Sequence, residues 1–233
     1  LYGAYYFYSN SVIATPPPPP SAIKIPSILP NNSQVEIKFD SLTSKEIYNK
    51  IYSNLEKTSL KDNEIIEFIP SIKQGENIIA IDSETFIKKT GIDMPNQLLR
   101  SLGSKIMLGG IKDNDDGNVL FIAFTTDFFQ NTYAGMLSWE KGMPDELEDL
   151  MNYRGVIEEI NNNASSTINN YFGIRGKFID KQIKNRDIRE FIHESGKSLF
   201  LYTFIDKNTL IITKTENALG KIVEKIEKQN YIR

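Results

Sequence analysis

From Gly196 to Lys228 the chain changes from one hydrophobic period to another. Leu199 to Ile205 is dense in aromatic and aliphatic residues, Asp206-Lys207-Asn208 interrupts it, and Leu210-Ile211-Ile212 resumes it. Two apolar runs across a short polar break predict a β-hairpin. Thr215 and Glu216 follow, a hydroxyl acceptor and a negative charge where a helix N-terminus favours both. Leu219, Ile222, Val223 and Ile226 then recur at three- and four-residue steps and form one apolar face. Lys221, Glu224, Lys225, Glu227 and Lys228 fill the other, so the helix should lie on a sheet with a solvated face of mixed charge.

The same order of strand, hydroxyl-and-acid cap and helix recurs upstream. Val35, Ile37 and Phe39 alternate with Glu36 and Lys38, a half-buried strand. Thr43-Ser44-Lys45-Glu46 has the spacing of a capping box and opens a helix faced by Ile47, Ile51 and Leu55, with Tyr48 and Tyr52. Ile65 to Ile72 forms the next strand, where Pro70 marks an edge or bend. Gly75 turns the chain into Ile78, Ile79 and Ile81, and Ser83-Glu84 caps a short helix that ends at Gly91. Ile106-Met107-Leu108 and Val119 to Phe124 flank a polar turn over Asp113 to Asn118. Thr126-Asp127 predicts a cap for a helix with Phe128, Phe129, Tyr133, Met136, Leu137 and Trp139 mostly on its core face. Pro144-Asp145-Glu146 restarts a helix containing Leu147, Leu150 and Met151. Phe178 to Ile192 supplies one or two strands that turn at Asn185-Arg186-Asp187.

These elements predict an α+β protein with mainly antiparallel sheets, helices packed on one face and repeated strand–capped-helix units. The predicted division is a membrane-exit segment over 1–14, a Pro-rich spacer over 15–32 and an α+β domain over 33–152, divisible into 33–102 and 103–152. An Asn/Ser/Gly-rich loop over 153–176 and a C-terminal β-hairpin–helix unit over 177–233 complete it.

The first two segments stand apart from the rest. Tyr2, Tyr5, Tyr6, Phe7 and Tyr8 crowd one short stretch. Such residues gather where a transmembrane helix leaves the bilayer, because the ring is apolar while the hydroxyl stays wet. The stretch reads as the tail of a membrane helix whose beginning lies upstream of Leu1. Pro16 to Pro20 favour polyproline II, a stiff spacer of about 3.1 Å per residue. That spacer would hold a domain clear of the membrane.

Composition narrows the chemistry. The 233 residues carry a net charge of −3, which provides no electrostatic footprint for nucleic acid. There is no cysteine, which removes disulfides, thiolate metal sites and cysteine nucleophiles. His193 is the one histidine and reads as a turn residue. The acids at Asp113, Asp115 and Asp116 fail the EF-hand pattern, because Gly117 at position 6 would put Lys112 at position 1. No nucleophile elbow, P-loop, dinucleotide fingerprint or zincin motif occurs. No catalytic residue, cofactor-binding residue or metal ligand is therefore assigned. Among 30 acids, Glu140 beside Trp139 has the most suggestive context for a carboxylate-based hydrolase. The densest polar patch is Asp180, Arg186, Asp187 and Arg189 near Tyr202. It is read either as charge pairs that set strand register or as an interaction and ligand patch.

Residues 105–137 and 177–228 carry further patterns: Ala134-Gly135-Met136-Leu137-Ser138-Trp139-Glu140, Phe178-Ile179-Asp180, Asn185-Arg186-Asp187-Ile188-Arg189 and Leu210-Ile211-Ile212-Thr213. In these the chain resembles uncharacterised single-pass, membrane-anchored envelope proteins of small-genome bacteria. That resemblance implies a membrane helix and a Pro-rich linker ahead of an extracytoplasmic domain. Together the features imply a membrane-tethered, non-catalytic structural or assembly protein whose partners are other envelope proteins or further copies of itself. The alternatives are an envelope carboxylate-based hydrolase and a peptide- or small-ligand-binding module. A cleft with two facing acids would mark the first and a preformed apolar pocket the second.

Overall fold

The computed structural model describes residues 26–163 and 173–231. Nine strands form one sheet: β1 (Ser33–Lys38), β2 (Ile65–Gln74), β3 (Asn77–Ala80), β4 (Leu102–Asp113), β5 (Gly117–Thr126), β6 (Gly176–Ile183), β7 (Arg186–His193), β8 (Ser198–Asp206) and β9 (Thr209–Thr213). Their order is β1-β2-β4-β5-β9-β8-β7-β6, with β3 also on β2. Only β1 and β2 run parallel, joined through helix α1 (Ser44–Lys57), because parallel neighbours need a crossover. All other pairings are antiparallel, so the protein is α+β with a mainly antiparallel sheet. Strand β9 pairs with both β5 and β8, which makes the sheet continuous from 33 to 213.

Local signals account for the turns and caps. The Thr43 capping box is complete, with Glu46 N–H donating to Thr43 Oγ1 and Thr43 N–H donating to Glu46 Oε2. Helix α2 (Ser83–Thr90) is capped by Asp82 rather than the expected Ser83: Asp82 Oδ1 accepts from Thr85 N–H, while Ser83 Oγ donates to Gly103 O, and the helix ends at Gly91 with φ 72°. Glycine takes that left-handed conformation at no steric cost, having no Cβ. Pro70 lies where β2 changes partners: residues 65–68 pair with β4 and residues 71–74 with β3. The β6–β7 turn is Lys184-Asn185, both at positive φ, which fits a two-residue hairpin and lets Arg186 join β7.

Because side chains alternate along each strand, the register sorts the core into two faces. One cross-strand row runs Val35, Phe68, Leu108, Ile122, Ile212, Tyr202, Arg189, Asp180, apolar over the middle strands and polar at the β6 edge. The adjacent row, Gln34, Glu67, Gly109, Phe121, Thr213, Leu201, Glu190, Ile179, points to the other face. Gly109 is required there, because a Cβ would stand 2.0 Å from the Phe121 ring.

On the first face lie α1, α2, α3 (Asn96–Leu99), α4 (Phe129–Trp139), α5 (Met143–Glu146), α6 (Glu148–Met151) and α7 (Arg154–Asn163). Buried hydroxyls and the indole tie this layer together: Tyr48 Oη donates to Thr90 O (2.7 Å), Tyr52 Oη to Leu150 O (2.7 Å) and Trp139 Nε1 to Asp93 O (3.1 Å). The last helix, α8 (Glu216–Tyr231), covers the opposite face with Ala218, Leu219, Ile222 and Val223. Its cap is the expected one, Ala218 N–H donating to Thr215 Oγ1. Lys221 anchors it, its Nζ reaching Asp62 Oδ1 (2.6 Å), Lys112 O (2.9 Å) and Asn114 Oδ1 (3.0 Å).

Further local expectations change. Residues 154–163, expected within a loop, are helical, because Val156 and Ile157 turn an apolar edge onto the core despite the flanking asparagines. Thr126 does not cap α4; it ends β5, and its Oγ1 donates to Lys207 O. The face of α4 that enters the core is Thr132, Gly135, Met136 and Trp139, which leaves Phe128, Tyr133 and Leu137 outside.

Candidate interaction surface

The polar end of the first row gathers part of the predicted patch. Asp180 and Arg189 are direct cross-strand partners, as are Arg189 and Tyr202. Glu140, at the C-terminal end of α4, completes the group from above. Arg189 grips it with two hydrogen bonds, Nε to Oε1 at 2.8 Å and a second guanidinium nitrogen to Oε2 at 2.6 Å. The guanidinium also donates to Asp180 Oδ1 at 2.9 Å, and it lies 5.7 Å from the Phe178 ring centroid. Tyr202 Oη donates to Glu140 Oε1 at 2.7 Å. The Glu140 hydrogen bond, with Asp180 behind it, holds the Arg189 guanidinium above its ordinary value despite partial burial. Burial first, then the hydrogen bond to Glu140, pushes the Tyr202 phenol up.

Arg186 and Asp187 do not join this cluster. Arg186 points to the opposite face, where it donates to Ile205 O and approaches Glu227 on α8 at 4.0 Å. Asp187 accepts from Gln182 Nε2 at 2.8 Å. Glu190, also on the α8 face, is buried with Lys181 Nζ 2.6 Å away but off hydrogen-bonding geometry; Lys181 bonds Glu216 instead. Both Glu140 oxygens are occupied by donors, so the acid singled out for hydrolysis is a structural strut between α4 and the sheet.

Beside this strut lies a surface that the sequence did not signal as exposed. Phe129, Tyr133, Leu137 and Glu140 follow one another at steps of four, four and three along α4, a single row. The first two pack on Phe204 of β8, with ring centroids 5.1 Å and 5.9 Å apart. Phe128 is 61% exposed, Tyr133 45% and Leu137 40%. Exposed apolar side chains gathered in one patch are often functional on soluble domains. The available clue was breadth: the apolar arc of α4 exceeds the roughly 100° stripe that one buried face needs.

Elsewhere, a cleft of about 440 Å³ opens between residues 27–31, the β8–β9 turn and the end of α8, lined by Asn31, Asp206, Thr209 and Gln229 among others. Its rim is largely polar. Next to it the buried Glu67 carboxylate accepts from Ser27 Oγ, Asn31 Nδ2 (2.9 Å) and Gln34 Nε2 (2.8 Å), seating the incoming chain on β2. His193, expected in a turn, instead ends β7 and is buried; its Nδ1 accepts from Ser195 N–H at 3.1 Å in the turn that follows. Among the described residues no group of three or more His, Asp or Glu could hold a metal ion, and no helix is long and apolar enough to cross a membrane. Tyr2, Tyr5, Tyr6, Phe7, Tyr8 and the proline run lie outside the described residues. No protein-family model, curated protein or solved structure matches the chain.

Proposed function

We propose that this chain is a non-catalytic structural or assembly protein of a bacterial cell envelope, acting through protein–protein contacts at the outer face of α4. In this reading the aromatic segment over 1–14 tethers it to the membrane and the proline run spaces the folded body on the extracytoplasmic side. The observation that carries the proposal is the exposed row of Phe128, Tyr133 and Leu137, backed by Phe129 and Phe204. Leaving three large apolar side chains in water has no benefit for the isolated fold, since the core is filled by the other side of the helix. A partner that covers them removes that surface from water, at roughly 25 cal/mol per Å². The Glu140–Arg189 strut beneath fixes the angle of α4 and so presents a rigid row, which lowers the ordering cost of association.

The test is a membrane-impermeant cross-linker applied to intact cells, followed by capture through a tag after Arg233. The proposal expects defined adducts, lost when Tyr133→Ser and Leu137→Ser are combined. A chain that the reagent cannot reach, or adducts indifferent to the double substitution, would overturn it.

A further inference from the structure

We propose that Lys225 of α8 and Asn32, the residue before β1, become joined by an isopeptide bond, the Lys225 amine replacing the side-chain amide nitrogen of Asn32 and releasing ammonia. The link does not depend on any partner at α4.

Nucleophile and electrophile already meet. Lys225 Nζ donates to Asn32 Oδ1 and, at 3.0 Å, to Asn63 O. Asn32 Oδ1 also accepts from Ile65 N–H at 3.0 Å, and Asn32 N–H donates to Ile65 O at 2.8 Å. The backbone at the start of β2 therefore holds Asn32 at two points. Its N–H polarises the amide carbonyl and stands where it would stabilise a developing oxyanion.

The setting of Lys225 suits an amine that must attack with a free lone pair. Both of its acceptors are neutral carbonyl oxygens. Burial holds its pKa below the ordinary 10.5, although the Glu64 carboxylate works the other way. Lys221, one turn earlier on α8, is the contrast. Its Nζ also reaches an asparagine oxygen, Asn114 Oδ1 at 3.0 Å, but Asp62 Oδ1 stands 2.6 Å away and favours the ammonium form. Of these two lysines, Lys225 is the one placed to react.

In the reaction the neutral Nζ forms a bond to Asn32 Cγ while the carbonyl π electrons move onto Oδ1. A proton passes from Nζ to Nδ2 by way of Glu64. The Cγ–Nδ2 bond then breaks, the carbonyl re-forms and ammonia leaves. One C–N bond is made and one is broken, so no oxidant or co-reactant is needed. Asn32 is exposed, which gives the ammonia a path to solvent. The two residues are 193 positions apart, so the bond closes a loop around most of the folded body and restricts the unfolded chain. It also fastens the chain entering β1 to α8.

Intact-mass spectrometry of the purified full chain, followed by proteolysis and fragment sequencing, tests the proposal. The wild type should be lighter than its sequence mass by one ammonia and should yield a branched peptide joining residues 32 and 225. Lys225→Arg, which keeps a donor but cannot form the bond, and Asn32→Ala should each return to the sequence mass. Lys221→Arg should keep the deficit, with circular dichroism confirming the fold of each variant. A wild type at its full sequence mass overturns the proposal without recourse to any variant. So does a deficit that survives Lys225→Arg, a branch that runs through Lys221, or a loss of ammonia with no branched peptide.

Discussion

Arg189 ties the sheet to α4 through geometry rather than charge alone. Its planar fork meets both Glu140 oxygens across a sequence separation of 49 and still reaches Asp180. With side chains only 22% and 14% exposed, the Arg189–Glu140 pair is shielded enough for its loss to matter. Glu140→Gln keeps the shape and removes the charge, leaving the guanidinium with only the exposed Asp180 opposite. We expect a loss of about 2–3 kcal/mol, a fall in Tm of roughly 5–10 °C in a domain of this size. A shift under about 1 °C would show the strut to be ornamental. Asp180, Arg189 and Tyr202 were recognisable in the sequence as a polar concentration, because cross-strand neighbours here lie on adjacent hairpins. Glu140 was noticed only for its proximity to Trp139. Its real partners could not be read locally, since no pattern within α4 specifies which strand lies beneath it. Arg186 shows the converse: one step of strand alternation relative to Asp187 and Arg189 sends it to the other face.

Among the elements, α8 was the most legible and α4 the least. The cap at Thr215 and the three- and four-residue spacing of Leu219, Ile222, Val223 and Ile226 define a single buried stripe, so one reading fits. In α4 the apolar residues cover two neighbouring faces, and the pattern alone does not say which is buried; the choice is made by packing against Leu98, which Gly135 permits at close range. Residues 154–163 were obscured in another way, by asparagines that outvoted Val156 and Ile157. The N-terminus of α8 also carries a pH dependence. Asp113 accepts from Thr215 Oγ1 at 2.6 Å and from Asp115 N–H at 3.0 Å, linking the β4–β5 turn to the helix cap. Burial works to raise its pKa, but these and further hydrogen bonds outweigh it and hold the carboxyl below its ordinary 3.8. A carboxylate whose folded pKa is depressed stabilises the protein above its unfolded value, and that contribution disappears as pH falls through the folded one. Asp113→Asn should therefore cost about 1–2 kcal/mol in urea unfolding at pH 7. The gap to wild type should narrow steadily below about pH 4. A gap of the same size at pH 3 would mean the contact is neutral in character and the linkage argument wrong.

At the scale of the whole molecule, the α+β class and the antiparallel hairpins followed from alternation and turn chemistry, whereas strand order did not. Nothing in the local pattern of Thr209–Thr213 announces that β9 inserts beside β5 and fuses the C-terminal strands to the N-terminal ones. That insertion also brings β8, and with it Phe204 and Tyr202, under α4. The exposed row exists because a helix from residues 129–139 is laid across strands from residues 176–213. The folded body therefore offers a rigid apolar strip on the face opposite α8, while the incoming chain is seated by Glu67 on the α8 side. In the proposed reading, a tether that enters on the α8 side and an assembly surface on the opposite face would not compete. The most direct measurement of this account is site-specific photo-cross-linking in cells, with the photoreactive residue introduced at Ala134 and, as a control, at the equally solvent-facing Glu76 in the β2–β3 turn. The account predicts a discrete adduct from position 134 and none from position 76. No adduct from 134, or the same adducts from both positions, would contradict it.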